Sequence, residues 1–283
     1  MSMNPRPTRS EQREAARAKA RELQQARVKG DKRKRFLSTT GISVLVVAVI
    51  MTVGYVVVNG SQSTQQNAEN AKKVPANVTP AGGVIIGDGL KVVSAAQAKK
   101  VNHIVIYQDY QCPICQLFEA PNLSQIQTWA SSGLAAVEFH PLSFLDSNSL
   151  NNYSSRSANA AFCVANSQPE KFFEVNSALY YNQPQEGTSG PDNNGLKDTL
   201  RNAGVNIDGE MNECIDQKRY ANFINNVTNQ AFSENAVTGK APVTGTPHIL
   251  VNGVLYTWND TQSELTNPGR FADFFNLHSK KTN

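Results

Sequence analysis

Hydrophobic and polar positions divide the chain into blocks of different period. The first apolar block has no period at all: residues 36–58, FLSTTGISVLVVAVIMTVGYVVV, run for 23 positions without a charge. As a helix rising about 1.5 Å per residue, such a segment spans roughly 34 Å, enough for a bilayer core of about 30 Å. Residues 59–83 are polar, small and punctuated by prolines, with no apolar face, which is the composition of a flexible linker. The folded part is therefore expected to begin near Val84.

Beyond that point short apolar runs alternate with helical patterns. Residues 84–86, 104–107 and 135–139 read as strands, and 113–129 as a helix with Leu117, Phe118, Ile126 and Trp129 on its apolar side. From 154 to 236 the pattern is helical throughout, in the stretches SSRSANAAFCVANS, PEKFFEVNSALYY, GLKDTLRNAG and MNECIDQKRYANFINNVTNQAFSEN. Two strands follow, HILVNG and VLYTW, meeting at Asn252-Gly253, a strong hairpin signal. A last helix carries Phe271, Phe274 and Phe275. The expected architecture is an α/β domain, residues 84–153 and 237–283, interrupted by a helical insertion over 154–236.

Charge orients this layout. Residues 1–36 hold twelve Lys/Arg and four Asp/Glu, a net of +8; the chain total of +4 leaves the remainder at −4. A basic tail on a mildly acidic body is not the footprint of a nucleic-acid binder. DKRKR, directly before the apolar span, places the 1–35 tail in the cytoplasm by the positive-inside rule. The span is then a single-pass anchor in membrane lipid, with the bulk of the chain extracytoplasmic. A cleaved signal peptide is the competing reading. Its apolar core would be about 7 to 15 residues, followed by a small-x-small site, and NGSQSTQQ offers no clear one.

All four cysteines fall on the oxidising side of such a membrane. Cys163 and Cys214, each among apolar neighbours in the helical block, are most simply a structural disulfide between two helices; two buried free thiols are the alternative. Cys112 and Cys115 frame Pro113 and Ile114 at the start of a helix. There, unpaired backbone N–H groups and the helix dipole favour a thiolate, the reactive form, and Pro113 loses nothing by lacking an N–H. On this geometry Cys112 is the exposed attacking sulfur and Cys115 the shielded resolving one. A zinc knuckle needs a second close pair, which Cys163, Cys214 and the four scattered histidines do not form, so no metal and no cofactor is expected.

IYQDYQCPICQLFEAP, the helical insertion beginning ANAAFCVANSQPEKFFEVNSALY, and VTGTPHILVNG, in that order, resemble the DsbA-like thiol–disulfide oxidoreductases of the thioredoxin superfamily over about residues 84–278. The resemblance implies a thioredoxin-like fold with an inserted α-helical domain; the uncharged span sets it behind a single N-terminal transmembrane helix. It implies a cis-proline at Pro247, with Thr246 before it offering its backbone to a bound substrate strand. It also implies disulfide formation in exported proteins with free thiols, and re-oxidation by a membrane partner of the DsbB or vitamin K epoxide reductase type. Two departures matter. Strongly oxidising members often carry His where Ile114 stands, so a milder oxidant is expected. Several have an acid six positions before the first cysteine, where this chain has Ile106; the nearest carboxylate is Asp109, either an aid to proton transfer at Cys115 or a turn residue. A disulfide reductase or isomerase fed by a membrane electron donor, and a non-catalytic holder of exported clients, are the other readings.

Overall fold

The computed structural model describes residues 73–233, 242–258 and 262–280; the basic tail, the apolar span 36–58 and linker residues 59–72 lie outside them. Among the described residues no helix is long and apolar enough to cross a membrane. Six strands, β1 (Val84–Gly87), β2 (Lys91–Val92), β3 (Asn102–Gln108), β4 (Ala135–Pro141), β5 (His248–Val251) and β6 (Val254–Leu255), form one sheet in the order β2-β1-β4-β3-β5-β6. Only the central pair, β3 and β4, is parallel, with Asn102 opposite Ala135 and Gln108 opposite Pro141. A parallel neighbour requires a crossover. Helix α2 (Pro113–Ser131) supplies it.

Alternation along the strands sorts the two faces. Ile104 and Ile106 of β3, with Val137 and Phe139 of β4, join Phe118 and Ile126 of α2 in the main core. The opposite face packs Tyr107 and Val105 with Leu142, Val243 and Leu250. The β5–β6 hairpin turns at Asn252 (φ 48°) and Gly253 (φ 81°), the two positive φ values that a tight type I′ turn demands. The second strand is only Val254–Leu255, shorter than VLYTW suggests.

The insertion comprises α3 (Tyr153–Ser167), α4 (Phe172–Tyr181), α5 (Asn193–Asn202), α6 (Gly209–Asp216) and α7 (Ala221–Ala231). Its buried Phe162, Val164, Phe172, Val175 and Leu179 belong to the same continuous core as the inner sheet face. Cys163 of α3 and Cys214 of α6 are bonded to each other, S–S 2.00 Å. The stretch from Met211 onward, one helical run by pattern, is two helices. Lys218 sits at φ 47°, and the Tyr220 N–H leaves the helical path to donate to Asn159 Oδ1 of α3 at 2.9 Å. Neither Gly nor Pro marks that break. Three small elements carry too few residues for a period: β2, α1 (Ala95–Ala98) and α8 (Gln262–Leu265). In α1, the Ser94 Oγ accepts from Gln97 N–H while the Gln97 side chain accepts from Ser94 N–H. The last helix, α9 (Pro268–His278), buries Phe271 and Phe275, with Trp129 of α2 stacked on Phe275 at 4.0 Å.

The last residues of the segment read as linker lie against the folded body. Ala76 N–H donates to Asn166 Oδ1 (3.0 Å), Asn77 Nδ2 to the Ala165 carbonyl (3.0 Å) and Thr79 Oγ1 to Glu138 Oε1 (3.2 Å). Gly83 passes so close to Glu138 that a Cβ there would meet the carboxylate at 2.0 Å, so only glycine fits without a shift.

Candidate active site

Cys112 caps the N-terminus of α2 with non-helical φ −76° and ψ 114°, and Pro113 opens the helix. The backbone N–H groups of Ile114 and Cys115 are thereby aimed at the Cys112 sulfur. The expectation of an exposed Cys112 is corrected: it is 6% exposed, because the loop bearing Thr246 and Pro247 closes over it. The Thr246–Pro247 peptide is cis, and the Cys112 thiol donates to the Thr246 carbonyl at 3.2 Å. Cys115, one turn into the helix, is buried, while Pro113 is exposed and Ile114 packs against the core. Both cysteines are free thiols here.

The two sulfurs are electrostatically unlike. The Cys112 pKa falls to about 7, first through a hydrogen bond from the Cys115 thiol, against the opposing effect of burial. Thr246 and the N–H groups of Cys115 and Ile114 add to the lowering. The Thr246 hydroxyl is buried without a hydrogen-bond partner among the described residues, so it is free to donate to a thiolate. The carbonyl of the same residue works the other way, by accepting from the thiol. Burial pushes the Cys115 thiol well above its ordinary value, and the neighbouring Cys112 sulfur pushes the same way. One sulfur is built to be an anion and the other to keep its proton.

A second layer holds this loop. Asp109, fully buried, accepts from the Gln111 N–H (2.8 Å), the Leu145 N–H (2.9 Å) and Ser154 Oγ (2.7 Å). Burial pushes its carboxyl up to about 6 despite those bonds. It thus ties the cysteine loop to β4's exit and to α3. Three glutamines reach between the two parts of the protein. Gln183 Nε2 donates to the carbonyls of Tyr110 and Cys112, both at 3.0 Å. Gln111 Nε2 donates to those of Gln185 (3.3 Å) and Thr188 (3.0 Å), and Gln116 Nε2 to that of Tyr180 (2.8 Å). Sequence reasoning did not select the glutamines. Buried Glu119 was also missed, although it stands four residues after Cys115, on the same helical face.

Cys112, Pro113, Ile114, Cys115, Thr246 and Pro247 therefore meet at one place, while the Cys163–Cys214 bond lies within the insertion. Ile106 lies in the apolar core, and the Asp109 carboxyl, bonded to Gln111, Leu145 and Ser154, adds to burial a small upward push on the Cys115 thiol. His103 and His140 belong to the other sheet face, flanking Glu138 with Nε2 atoms 3.1 Å from its two oxygens.

A sequence profile of the family described as thioredoxin matches residues 95–267, more than half of the chain. The protein belongs to the thioredoxin family. Among solved thioredoxin-fold structures, it is similar to reduced DsbA of Mycobacterium tuberculosis at 27% identity and TM-score 0.54, over 70% of this chain and 92% of that one. Reduced DsbG of the same organism compares at 27% identity and TM-score 0.56, over 71% and 89%. MdbA of Actinomyces oris, at 18% identity and TM-score 0.56 over 74% and 94%, shares the fold. A 109-residue stretch is 33% identical to part of the serine/threonine-protein kinase PknE of M. tuberculosis, covering 37% of this chain but only 19% of that protein. This thioredoxin-family chain shares its fold with those DsbA- and DsbG-type proteins.

Proposed function

We propose that the protein is a membrane-tethered, extracytoplasmic thiol–disulfide oxidoreductase that forms disulfides in exported proteins at its Cys112–Cys115 centre. The observation that carries this reading is the asymmetry of the two sulfurs beside a cis-proline loop. The Cys112 thiol is pulled down to about 7 at a helix N-terminus, and Cys115 is pushed up by burial. In the oxidised enzyme, a substrate thiolate attacks Cys112, forming a mixed disulfide and breaking the Cys112–Cys115 bond. Cys115 leaves as a thiolate and takes up a proton. A second substrate thiolate attacks the substrate sulfur of the mixed disulfide, and Cys112 leaves as the stabilised thiolate. Two substrate thiols are oxidised to a disulfide, and the CxxC pair gains both electrons. A low pKa makes Cys112 the better leaving group, which is what renders such a pair oxidising.

The Thr246 backbone, whose carbonyl accepts from the Cys112 thiol, would receive an extended substrate strand. Residues 36–58 would anchor the enzyme, and a quinone-linked membrane protein of the DsbB or vitamin K epoxide reductase type would restore the disulfide. The test is a titration of the full-length chain in detergent against glutathione buffers, each cysteine pair read by alkylation and mass. A midpoint for Cys112–Cys115 of about −120 to −180 mV supports an oxidase. A value near about −270 mV replaces this reading with a reductase supplied with electrons from the membrane.

A further inference from the structure

A cavity of about 710 Å³ opens between α2 and α4, on the side of α2 that follows the cysteine motif. Its size is that of a site for a small organic group. The walls are mostly apolar, from Leu117, Pro121, Leu123, Tyr180 and Tyr181, and Glu119 lies in its floor. Glu119 is 4% exposed, and Asn176 Nδ2 donates to its Oε1 at 3.1 Å. That bond engages one of its two carboxyl oxygens.

The polarity of the cavity is one-sided. The donors along its wall are engaged elsewhere: Gln116 Nε2 with the Tyr180 carbonyl (2.8 Å), Ser177 Oγ with that of Phe173 (3.3 Å), and Thr266 Oγ1 with that of Ser263 (3.4 Å). Pro121 has no N–H to give the Leu117 carbonyl, one turn earlier, its helical hydrogen bond. The Glu119 carboxyl and the rings of Tyr180 and Tyr181 line the space, with Tyr181 88% exposed at the rim. A buried carboxyl beside aromatic faces, with the Gln116, Ser177 and Thr266 donors engaged elsewhere, suits a ligand that donates and carries positive charge on an apolar stem.

We propose that this cavity is a binding site for an alkyl guanidinium or alkyl ammonium group, paired with Glu119 and lying against Tyr181. The group is carried either by a free organic amine or by an arginine or lysine side chain of a bound polypeptide. Burial, against the opposing Asn176 hydrogen bond, pushes Glu119 up to about 7, so the empty site holds a partly protonated carboxyl. A cation at the carboxylate reverses that effect, so binding expels a proton and tightens as pH rises. The site stands seven residues beyond Cys112, roughly 10 Å along the helix, so it is close to the redox centre without being part of it.

The test is calorimetry of butylguanidinium binding to the full-length chain in detergent, with butylurea as neutral isostere and a blocked pentapeptide bearing one central arginine. For a carboxyl titrating near 7, affinity for butylguanidinium should rise about tenfold from pH 6 to pH 8, while butylurea shows no such rise. Glu119→Gln should remove the pH dependence. Tyr181→Ala, at a surface position where folding is not at stake, should weaken binding about two- to fivefold. Binding of the peptide as well as the small cation assigns the site to a basic side chain, and binding of the small cation alone assigns it to a free amine. Absence of saturable binding by either cation, or equal affinity in Glu119→Gln at every pH, overturns the proposal.

Discussion

The two cysteine pairs of this protein differ in placement more than in chemistry. Cys163 and Cys214 stand on α3 and α6, deep in the insertion, where their bond closes a loop of 51 residues between two helices. Cys112 and Cys115 stand one turn apart on a single helix, the first at its N-terminus under the Thr246–Pro247 loop. The first pair has apolar packing around it and a long donor contact, from Asn159 Nδ2 to the Cys163 sulfur at 3.6 Å. The second has N–H groups, a neighbouring thiol and a nearby hydroxyl on one sulfur, and burial together with the Cys112 sulfur acting on the other. Burial of a pair makes it durable. Making it reactive takes unequal treatment of its two members.

The comparison can be broken most decisively by removing the reactive sulfur. Cys112→Ser should reduce thiol–disulfide exchange to the uncatalysed background in an assay of disulfide formation in a reduced substrate protein. The double variant Cys163→Ala/Cys214→Ala should keep its exchange rate. The same double variant should instead lose stability, by about 4 kcal/mol for a loop of this length in the chain-entropy account, read as a lower urea midpoint. If it lost exchange while remaining folded, the division into a structural and a reactive pair would be wrong.

A smaller effect sharpens the difference within the reactive pair. Alkylation of Cys112 should rise about tenfold from pH 6 to pH 8, with a midpoint near 7, whereas Cys115 in the Cys112→Ser variant should react slowly throughout. Because the folded Cys112 thiol titrates below its unfolded value, the reduced form gains stability as pH rises above about 7, and that gain is lost as pH falls through 7. Measured against glutathione, whose thiol titrates higher, the pair should accordingly be a stronger oxidant at pH 8 than at pH 6. Smallest of all, Thr246→Val deletes one donor while keeping the shape. It should raise the Cys112 midpoint by about half a pH unit, the size of one modest hydrogen bond.

Much of this site was legible in the chain, and the reason is local. Cys112, Pro113 and Cys115 form their geometry within one helical turn, and Asn252-Gly253 fixes its hairpin by backbone preference alone. Thr246 and Pro247, more than a hundred residues away, became readable only through resemblance, since no local rule brings them to Cys112. What escaped depends on partners distant in sequence. Gln183 reads as an ordinary loop polar residue until the Cys112 carbonyl is placed beside it, and Glu119 reads as helix surface until α4 covers it. The break at Lys218 has no turn residue to announce it; it is set by Asn159 reaching the Tyr220 N–H. Residues 76–83 look like linker by composition, yet Glu138 and Asn166 hold them by side-chain hydrogen bonds that no periodicity records.

The Gln183 contact has a consequence for anyone who would take the protein apart. Its amide is the donor to two carbonyls of the cysteine loop, those of Tyr110 and Cys112, and it comes from the chain just past α4. A minimal version made by splicing out the insertion would keep every residue of the motif, yet leave those two oxygens bare and the loop free to choose other shapes. For a designer, the insertion is part of the jig in which the reactive turn is set, and the motif cannot be transplanted as sixteen letters of sequence.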